Sequence, residues 1–222
     1  MKIKQLFQRW FKLRFAIIYP FGIFVAIFAN SDDDSMRTSL WWIIPGLLIR
    51  LWANGYAIKM EKLTTSGPYA FVRNPLYLGT MFIAIGFAVM LRTHYIGALF
   101  VAFMALTYYQ TIKKEERMLE ERFKEEYINY TKRVPAIIPT IFPYRSGEKW
   151  SFSFKRFLES KEYKTFLWIA IVVISFYLKE ELLVEHEPVG SKILCFMGIA
   201  LALGIVDLIG ELIKLRKRIK EK

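Results

Sequence analysis

The sequence predicts an all-α, polytopic helical membrane protein with about six transmembrane helices and both termini cytoplasmic, and three observations predict it. The chain has 222 residues, of which 55% are hydrophobic and 17% aromatic. Its charges are confined to blocks that separate long apolar runs, the pattern of the membrane class. Under an N-in arrangement, 27 of the 32 Lys and Arg fall on the inner segments, counting Arg14 at the inner edge of the first span, which satisfies the positive-inside bias almost completely.

Six spans follow in order: Leu13 to Ala29, Leu40 to Ile58, Leu76 to Leu91, Tyr95 to Tyr109, Phe166 to Val184 and Ile193 to Ile209. Several fall short of the usual ~20 residues, so their helices extend into polar flanks or the local bilayer is thin. Basic residues precede the first run, but no small-residue cleavage site follows it, so it reads as an uncleaved span. Asp32, Asp33 and Asp34 lie in the outer connection before the second span and read as a solvated loop cap rather than a cation site. Within that span, Arg50 lies about 12 Å from the inner end. It must face the bundle interior or a wet cavity, with Asn54 one turn below it and Asp207 as a possible partner.

The third and fourth spans form a tight hairpin at Arg92 to His94, which brings their inner flanks together on one face. The first flank is SGPYAFVRNPLYLG, Ser66 to Gly79. Gly67 and Pro68 make a turn, Pro75 suits the first turn of a helix, and Asn74 is a good N-cap before it. The helix N-terminus beside Arg73 and Asn74 is a place for an anionic group such as a carboxylate. Gly79 permits close approach of a ligand or a neighbouring helix, and Tyr77 offers a ring face and a hydroxyl. The second flank, KKEERMLEERFKEEYINYTKRV, has a helical pattern. Ile112, Leu119, Phe123 and Tyr130 share one side, Tyr127 lies at its edge, and Glu115 and Glu116 flank it.

Prolines 135, 139 and 143 then end any continuous helix. The following run of Trp150, Phe152, Phe154, Phe157 and Leu158, mixed with Lys155 and Arg156, reads as a segment lying in the headgroup region. The organisation is an N-terminal transmembrane pair at 1–58 and a core at 59–143. An interfacial connection at 144–165 follows, then a C-terminal pair with a basic tail at 166–222. The net charge of +12 belongs to loops and tails, so membrane lipids rather than nucleic acid explain it. Cys195 is the only cysteine, His94 and His186 stand alone, and no metal site is expected.

GPYAFVRNPLYLG followed, after a helical hairpin, by EERMLEERFKEEYINYTKRVPAIIP resembles the integral-membrane methyltransferases related to isoprenylcysteine carboxyl methyltransferase and phospholipid N-methyltransferase. The resemblance covers roughly Arg50 to Pro139. It implies S-adenosylmethionine as the methyl donor, held where the third and fourth spans meet the cytoplasm, and a hydrophobic or lipidated acceptor arriving through the bilayer. By resemblance, Arg73 and Asn74 contact the carboxylate end of the cofactor, Tyr77 and Gly79 wall it, and Glu115 and Glu116 bond its ammonium or ribose. Tyr127, Tyr130 and Arg133 match the end of the family segment. Asn74 stands where better-known members have histidine, and Asn cannot titrate.

The expected site therefore has Arg73, Glu116 and Arg133 as catalytic residues. Tyr69, Arg73, Asn74, Pro75, Tyr77, Leu78, Gly79, Glu115 and Glu116 hold the cofactor, and Arg50, Asn54, Tyr127 and Tyr130 meet the substrate. The chemistry agrees: arginine at a helix N-terminus suits a carboxylate, glutamate suits an ammonium or diol, and the rings of Tyr77 and Tyr69 suit a sulfonium or adenine. A carboxylate acceptor needs no base, whereas a lipid amine needs one, for which Glu115 or Glu116 is nearest. The expected location is a bacterial or archaeal inner membrane or the endoplasmic reticulum, with the site facing the cytoplasm. Two other readings stand beside this one: a membrane-embedded, NADPH-dependent reductase of sterol-like double bonds, and a non-catalytic scaffold or transporter in which Arg50 is a helix tie.

Overall fold

A computed structural model of the chain describes residues 29–58, 62–92 and 94–220, and all regular structure among them is helical. The first expected span lies outside the described residues except for Ala29. Helix α1 runs Asp33–Tyr56, α2 Pro75–Met90, α3 His94–Thr131, α4 Phe154–Ser160, α5 Tyr163–Lys179 and α6 Ser191–Lys220. Two of them, α3 and α6, are long and apolar enough to cross a bilayer, while α2 is apolar but has 16 residues.

The helix boundaries differ from the expected spans for local reasons. Helix α1 starts seven residues before Leu40 because Asp32 and Ser35 form a reciprocal capping box: Ser35 N donates to Asp32 Oδ1 at 2.7 Å and Asp32 N to Ser35 Oγ at 3.0 Å. Asp32 also pairs with Arg92 across the hairpin end at 2.6 Å, and Asp33 with Arg37 at 3.3 Å. The acidic run is thus a helix cap with ion pairs. The fourth span and the charged helix after it are one 38-residue element, α3, kinked at Lys124, where φ is 44°. Helix α5 ends in a single π turn, Glu180–Val184, and α6 carries on through the basic tail.

Helices α1 and α2 pack through glycines. A Cβ on Gly79 would lie 2.7 Å from the Gly46 carbonyl oxygen and 2.7 Å from Arg50 Cγ, and one on Gly86 would lie 2.5 Å from Ile43 Cγ1. Only a side-chain-free residue permits that approach.

Below this seam the chain between α1 and α2 is laced to the chain after α3. Arg73 N donates to the Pro135 carbonyl at 2.9 Å, Asn74 N to Ala136 at 3.2 Å, Thr140 N to Phe71 at 2.9 Å and Tyr144 N to Ala70 at 2.9 Å. The three prolines explain the lacing. They prevent 135–143 from continuing α3, so its backbone groups pair with the turn instead of within a helix. Under the lacing sits a small core of Leu63, Tyr127, Tyr130 and Val134, with Leu119, Phe123 and Tyr144 against it.

Two ion pairs attach the C-terminal helices. Arg50 Nη2 lies 2.6 Å from Glu162 Oε2 at the start of α5, and Lys164 Nζ lies 2.8 Å from Asp207 Oδ1 of α6. Asp207 is therefore not the partner of Arg50; Lys164, on the neighbouring α5, neutralises it.

Candidate active site

The site begins with a backbone turn. Ser66 leads into a 3₁₀ turn, Gly67–Ala70, in which Gly67 takes a φ of 61° against the Tyr56 ring. A side chain there would strike the ring and strain the backbone, so glycine is required. Tyr130 Oη fixes the turn from α3 by donating to the Tyr69 carbonyl at 2.7 Å. The chain then passes Arg73 and Asn74 and enters α2 at Pro75.

Two side-chain links join this segment to α3. Tyr77 Oη donates to Glu115 Oε1 at 2.8 Å. Arg73 Nη2 lies 2.8 Å from Glu116 Oε1, and both side chains are largely buried, at 15% and 13% exposed. The ion pair leaves Glu116 Oε1 and Arg73 Nε without an aligned hydrogen bond among the described residues. A buried guanidinium N–H with no acceptor is unusual enough to point to a missing partner. Tyr77 also packs on Tyr108, with ring centroids 4.9 Å apart.

Between the turn and α3 is a cavity of about 470 Å³. Tyr69, Arg73, Asn74, Glu115, Tyr127 and Tyr130 all line it, with Leu119 and Met118 behind them on α3. Its opposite wall comes from the end of α1 and from Lys62, Leu63 and Thr64. Burial holds the Tyr69 hydroxyl above its usual range, the nearby Glu115 and Glu162 charges add to this, and Arg50 opposes it. Tyr69 is thus a neutral ring and a hydrogen-bond donor. Lys62 is raised by its hydrogen bond and charge contact with Glu148 and stays cationic.

Asn74 lines the cavity but in another role than expected, and several other expected residues sit elsewhere. Asn74 occupies the N-cap position of α2 but does not cap it. Its Nδ2 donates to the Ala136 carbonyl at 3.0 Å, because the proline-broken strap presents that acceptor beside it. Gly79 faces α1 and its Cβ space is filled by Gly46 and Arg50, so it is a helix contact rather than a cofactor wall. Pro75 is buried, and neither it nor Leu78 lines the cavity. Arg133 is exposed past the end of α3 and outside the cavity. Arg50 is spent on Glu162, Thr80 Oγ1 and the Leu76 carbonyl. Asn54, buried below it, donates to the Arg50 carbonyl at 2.9 Å. Neither of these two lines the cavity.

Sequence reasoning missed Tyr108, Met118 and the 62–64 wall. The first two were findable: Tyr108 lies seven residues before Glu115 and Met118 three after it, both spacings that share a helix face. Nothing in the composition of Lys62, Leu63 and Thr64 marks them.

Comparison with known proteins agrees with this segment. The profile of the PEMT family, phospholipid methyltransferase, matches residues 38–126, which contain the turn and the Glu115 to Leu119 stretch of α3 and stop just short of Tyr127 and Tyr130. The cobalt-zinc-cadmium resistance protein CzcN of Cupriavidus metallidurans is 34% identical over 179 residues, 73% of this chain and 79% of that protein. The nickel-cobalt-cadmium resistance protein NccN of Alcaligenes xylosoxydans xylosoxydans is 32% identical over 129 residues, 56% of this chain and 59% of that protein. The protein-S-isoprenylcysteine O-methyltransferase of Mus musculus is 38% identical over 91 residues, 39% of this chain and 32% of the enzyme. The chain thus spans about a third of the length of that curated enzyme. No solved structure matches the chain.

Proposed function

We propose that this chain, which belongs to the integral-membrane methyltransferase family related to the isoprenylcysteine carboxyl and phospholipid enzymes, uses S-adenosylmethionine to methylate a lipid or lipidated acceptor at the cytoplasmic membrane face. The observation that carries this reading is the cavity between the Gly-Pro-Tyr turn and α3, with a buried Arg73 Nε still wanting an acceptor. At about 470 Å³ it falls in the ~300–1,000 Å³ range of small-molecule sites.

The residues present fit S-adenosylmethionine. Arg73 would take its carboxylate, Glu115 its ammonium or ribose diol, and Tyr69 the flat or cationic part, each pairing a group with its chemical complement. When bound, the cofactor supplies an activated methyl group. The protein's own contribution is to bind, orient and exclude water, where methyl transfer gains most. Tyr77 keeps the Glu115 carboxylate pointed by donating to it, and Glu116 fixes the Arg73 guanidinium.

Asn74 is committed to the Ala136 carbonyl and has no titrating proton, so no base stands at that position. A carboxylate acceptor needs none; an amine acceptor would have to give its proton to Glu115 or Glu116. The six-span arrangement with both termini cytoplasmic belongs to the same proposal, as does a division into an N-terminal pair, a core, an interfacial connection and a C-terminal pair. It is supported by the exposed apolar stripe of α3, Tyr95, Leu99, Phe103 and Leu106, and that of α6, Leu194, Met197, Leu201, Ile205 and Leu208.

The test is transfer of labelled methyl from S-adenosylmethionine to organic-extractable material in membranes holding the parent or Arg73→Lys. Label above empty membranes, lost in the variant, is expected. Release of that label as methanol by mild alkali identifies an ester, and retention identifies an N-methyl product. No incorporation by the folded parent would overturn the proposal.

A further inference from the structure

A second recess, of about 320 Å³, shares no residue with the cavity and uses the other residues of the same turn, among them Ser66, Gly67 and Phe71. Its remaining wall brings together Trp52, Tyr56, Trp150, Arg145 and Lys149. Arg145 and Lys149 are exposed, and among the described residues neither has an ion-pair partner. Glu148, which lies between them in sequence, is turned away: its Oε2 is 2.6 Å from Lys62 Nζ. No carboxylate lines the recess, so it presents two uncompensated cations beside aromatic rings.

An apolar track leads out of it. From Trp52, Leu48, Ile44 and Trp41 recur every three or four residues up α1 and are 43%, 57%, 48% and 82% exposed in that order. That spacing is one face of a helix, uncovered by the rest of the described chain. On the other rim Ile141 and Phe142 are 86% and 82% exposed, immediately before the lining residues Pro143 and Tyr144. Cations over a pocket, tryptophans at the polar boundary and an exposed aliphatic stripe beyond them are the features that match a phospholipid from headgroup to tail.

We propose that this recess binds an anionic phospholipid, with its phosphate between Arg145 and Lys149 and its hydrocarbon along the Trp41 to Trp52 face. Arginine holds a phosphate through paired N–H donors and lysine holds it as a point charge. The stripe is what selects a lipid over free phosphate, since inorganic phosphate has nothing to place there. The site is independent of the methyl-transfer reading. It is nonetheless mechanically connected to the turn: Ser66 Oγ donates to the Glu148 carbonyl at 2.9 Å, and Trp150 N donates to Ser66 Oγ at 3.2 Å. A bound lipid therefore braces the segment that carries Tyr69 and Arg73.

The test is native mass spectrometry of the detergent-purified full chain titrated with dioleoyl phosphatidylglycerol, dioleoyl phosphatidylcholine or inorganic phosphate. Variants are Arg145→Ala/Lys149→Ala and a control, Lys132→Ala/Lys161→Ala, which removes two cations exposed outside the recess. The parent should prefer phosphatidylglycerol over phosphatidylcholine by roughly tenfold or more, the scale that two surface cations give an anionic headgroup. The recess variant should lose most of that preference and the control should keep it. Equal binding of the two lipids by the parent, equal loss in the control, or retention in the recess variant would overturn the proposal. Competition by millimolar phosphate as effective as the lipid would replace the lipid with a free anion and overturn it equally.

Discussion

Arg73 and Tyr77 are bound to successive glutamates of one helix, and the two contacts differ in what a substitution would reveal. Removing Arg73 leaves the largely buried Glu116 with only the half-exposed Lys113, 3.7 Å from its Oε2, as a countercharge, which destabilises by less than the ~3–5 kcal/mol of an uncompensated buried charge. Arg73→Lys, which keeps the charge, is therefore the variant that reports on ligand rather than on folding. Tyr77→Phe keeps the ring against Tyr108 and deletes only the hydroxyl that orients Glu115. A hydrogen bond to a charged group contributes about 1.5–3 kcal/mol to stability, so this variant should unfold more easily by up to that amount and, with Glu115 no longer held in place, bind S-adenosylhomocysteine more weakly, measured by thermal unfolding and titration. Tyr69 gives a pH signature. Its folded pKa lies above the ordinary value of about 10, so the unfolded phenol releases its proton first and stability falls as pH rises above that value. Tyr69→Phe should make that alkaline fall shallower in unfolding titrations. At this scale the motif residues Arg73, Tyr77, Glu115 and Glu116 were legible in the sequence because their chemistry is unusual at a membrane face. The direction of Asn74 was not: its bond to Ala136 depends on a strap 62 residues away.

At the level of elements, the hairpin prediction brought the right two segments together, because loop connectivity and apolar run length fix which ends share a face. The kink in α3 was invisible, since Lys124 carries no turn signal and the periodicity on either side reads as one helix. Its consequence is concrete: Tyr127, which an unbroken helix places at the stripe's edge, becomes buried at 3% exposure beside Tyr130. The use of Gly79 also needed the structure, because a glycine on a helix is equally open to a ligand or to a neighbour. Here the neighbour is α1, so Gly79→Ala should destabilise by about 1–3 kcal/mol through overpacking against Gly46 and Arg50. Gly46→Ala should do the same, and the pair should be non-additive because the two residues face each other, a double-mutant cycle in thermal unfolding being the check.

Across the whole molecule, the C-terminal helices are attached to the core by Arg50 and Glu162, both under one-fifth exposed. This favours the tie over the substrate role for Arg50, and the two roles predict different outcomes. Glu162→Ala should destabilise by about 3–5 kcal/mol by orphaning the guanidinium, whereas Arg50→Met/Glu162→Leu should recover most of that loss and still bind S-adenosylhomocysteine. Persistent loss of binding in the stable double variant would return Arg50 to the site. The pairing with Glu162, more than 100 residues away in sequence, could not be read from spacing, whereas the need for some partner could. The cavity, the two glutamate links and the lacing of the turn all serve one claim, that the Gly-Pro-Tyr turn and α3 together hold the methyl donor. Calorimetric titration of the detergent-purified chain with S-adenosylhomocysteine, alongside Arg73→Lys and Glu115→Gln, tests it most directly. Saturable binding by the parent that each variant weakens by about tenfold, ~1.4 kcal/mol, is the predicted result. A folded parent that binds nothing, or variants that bind as the parent does, would contradict it.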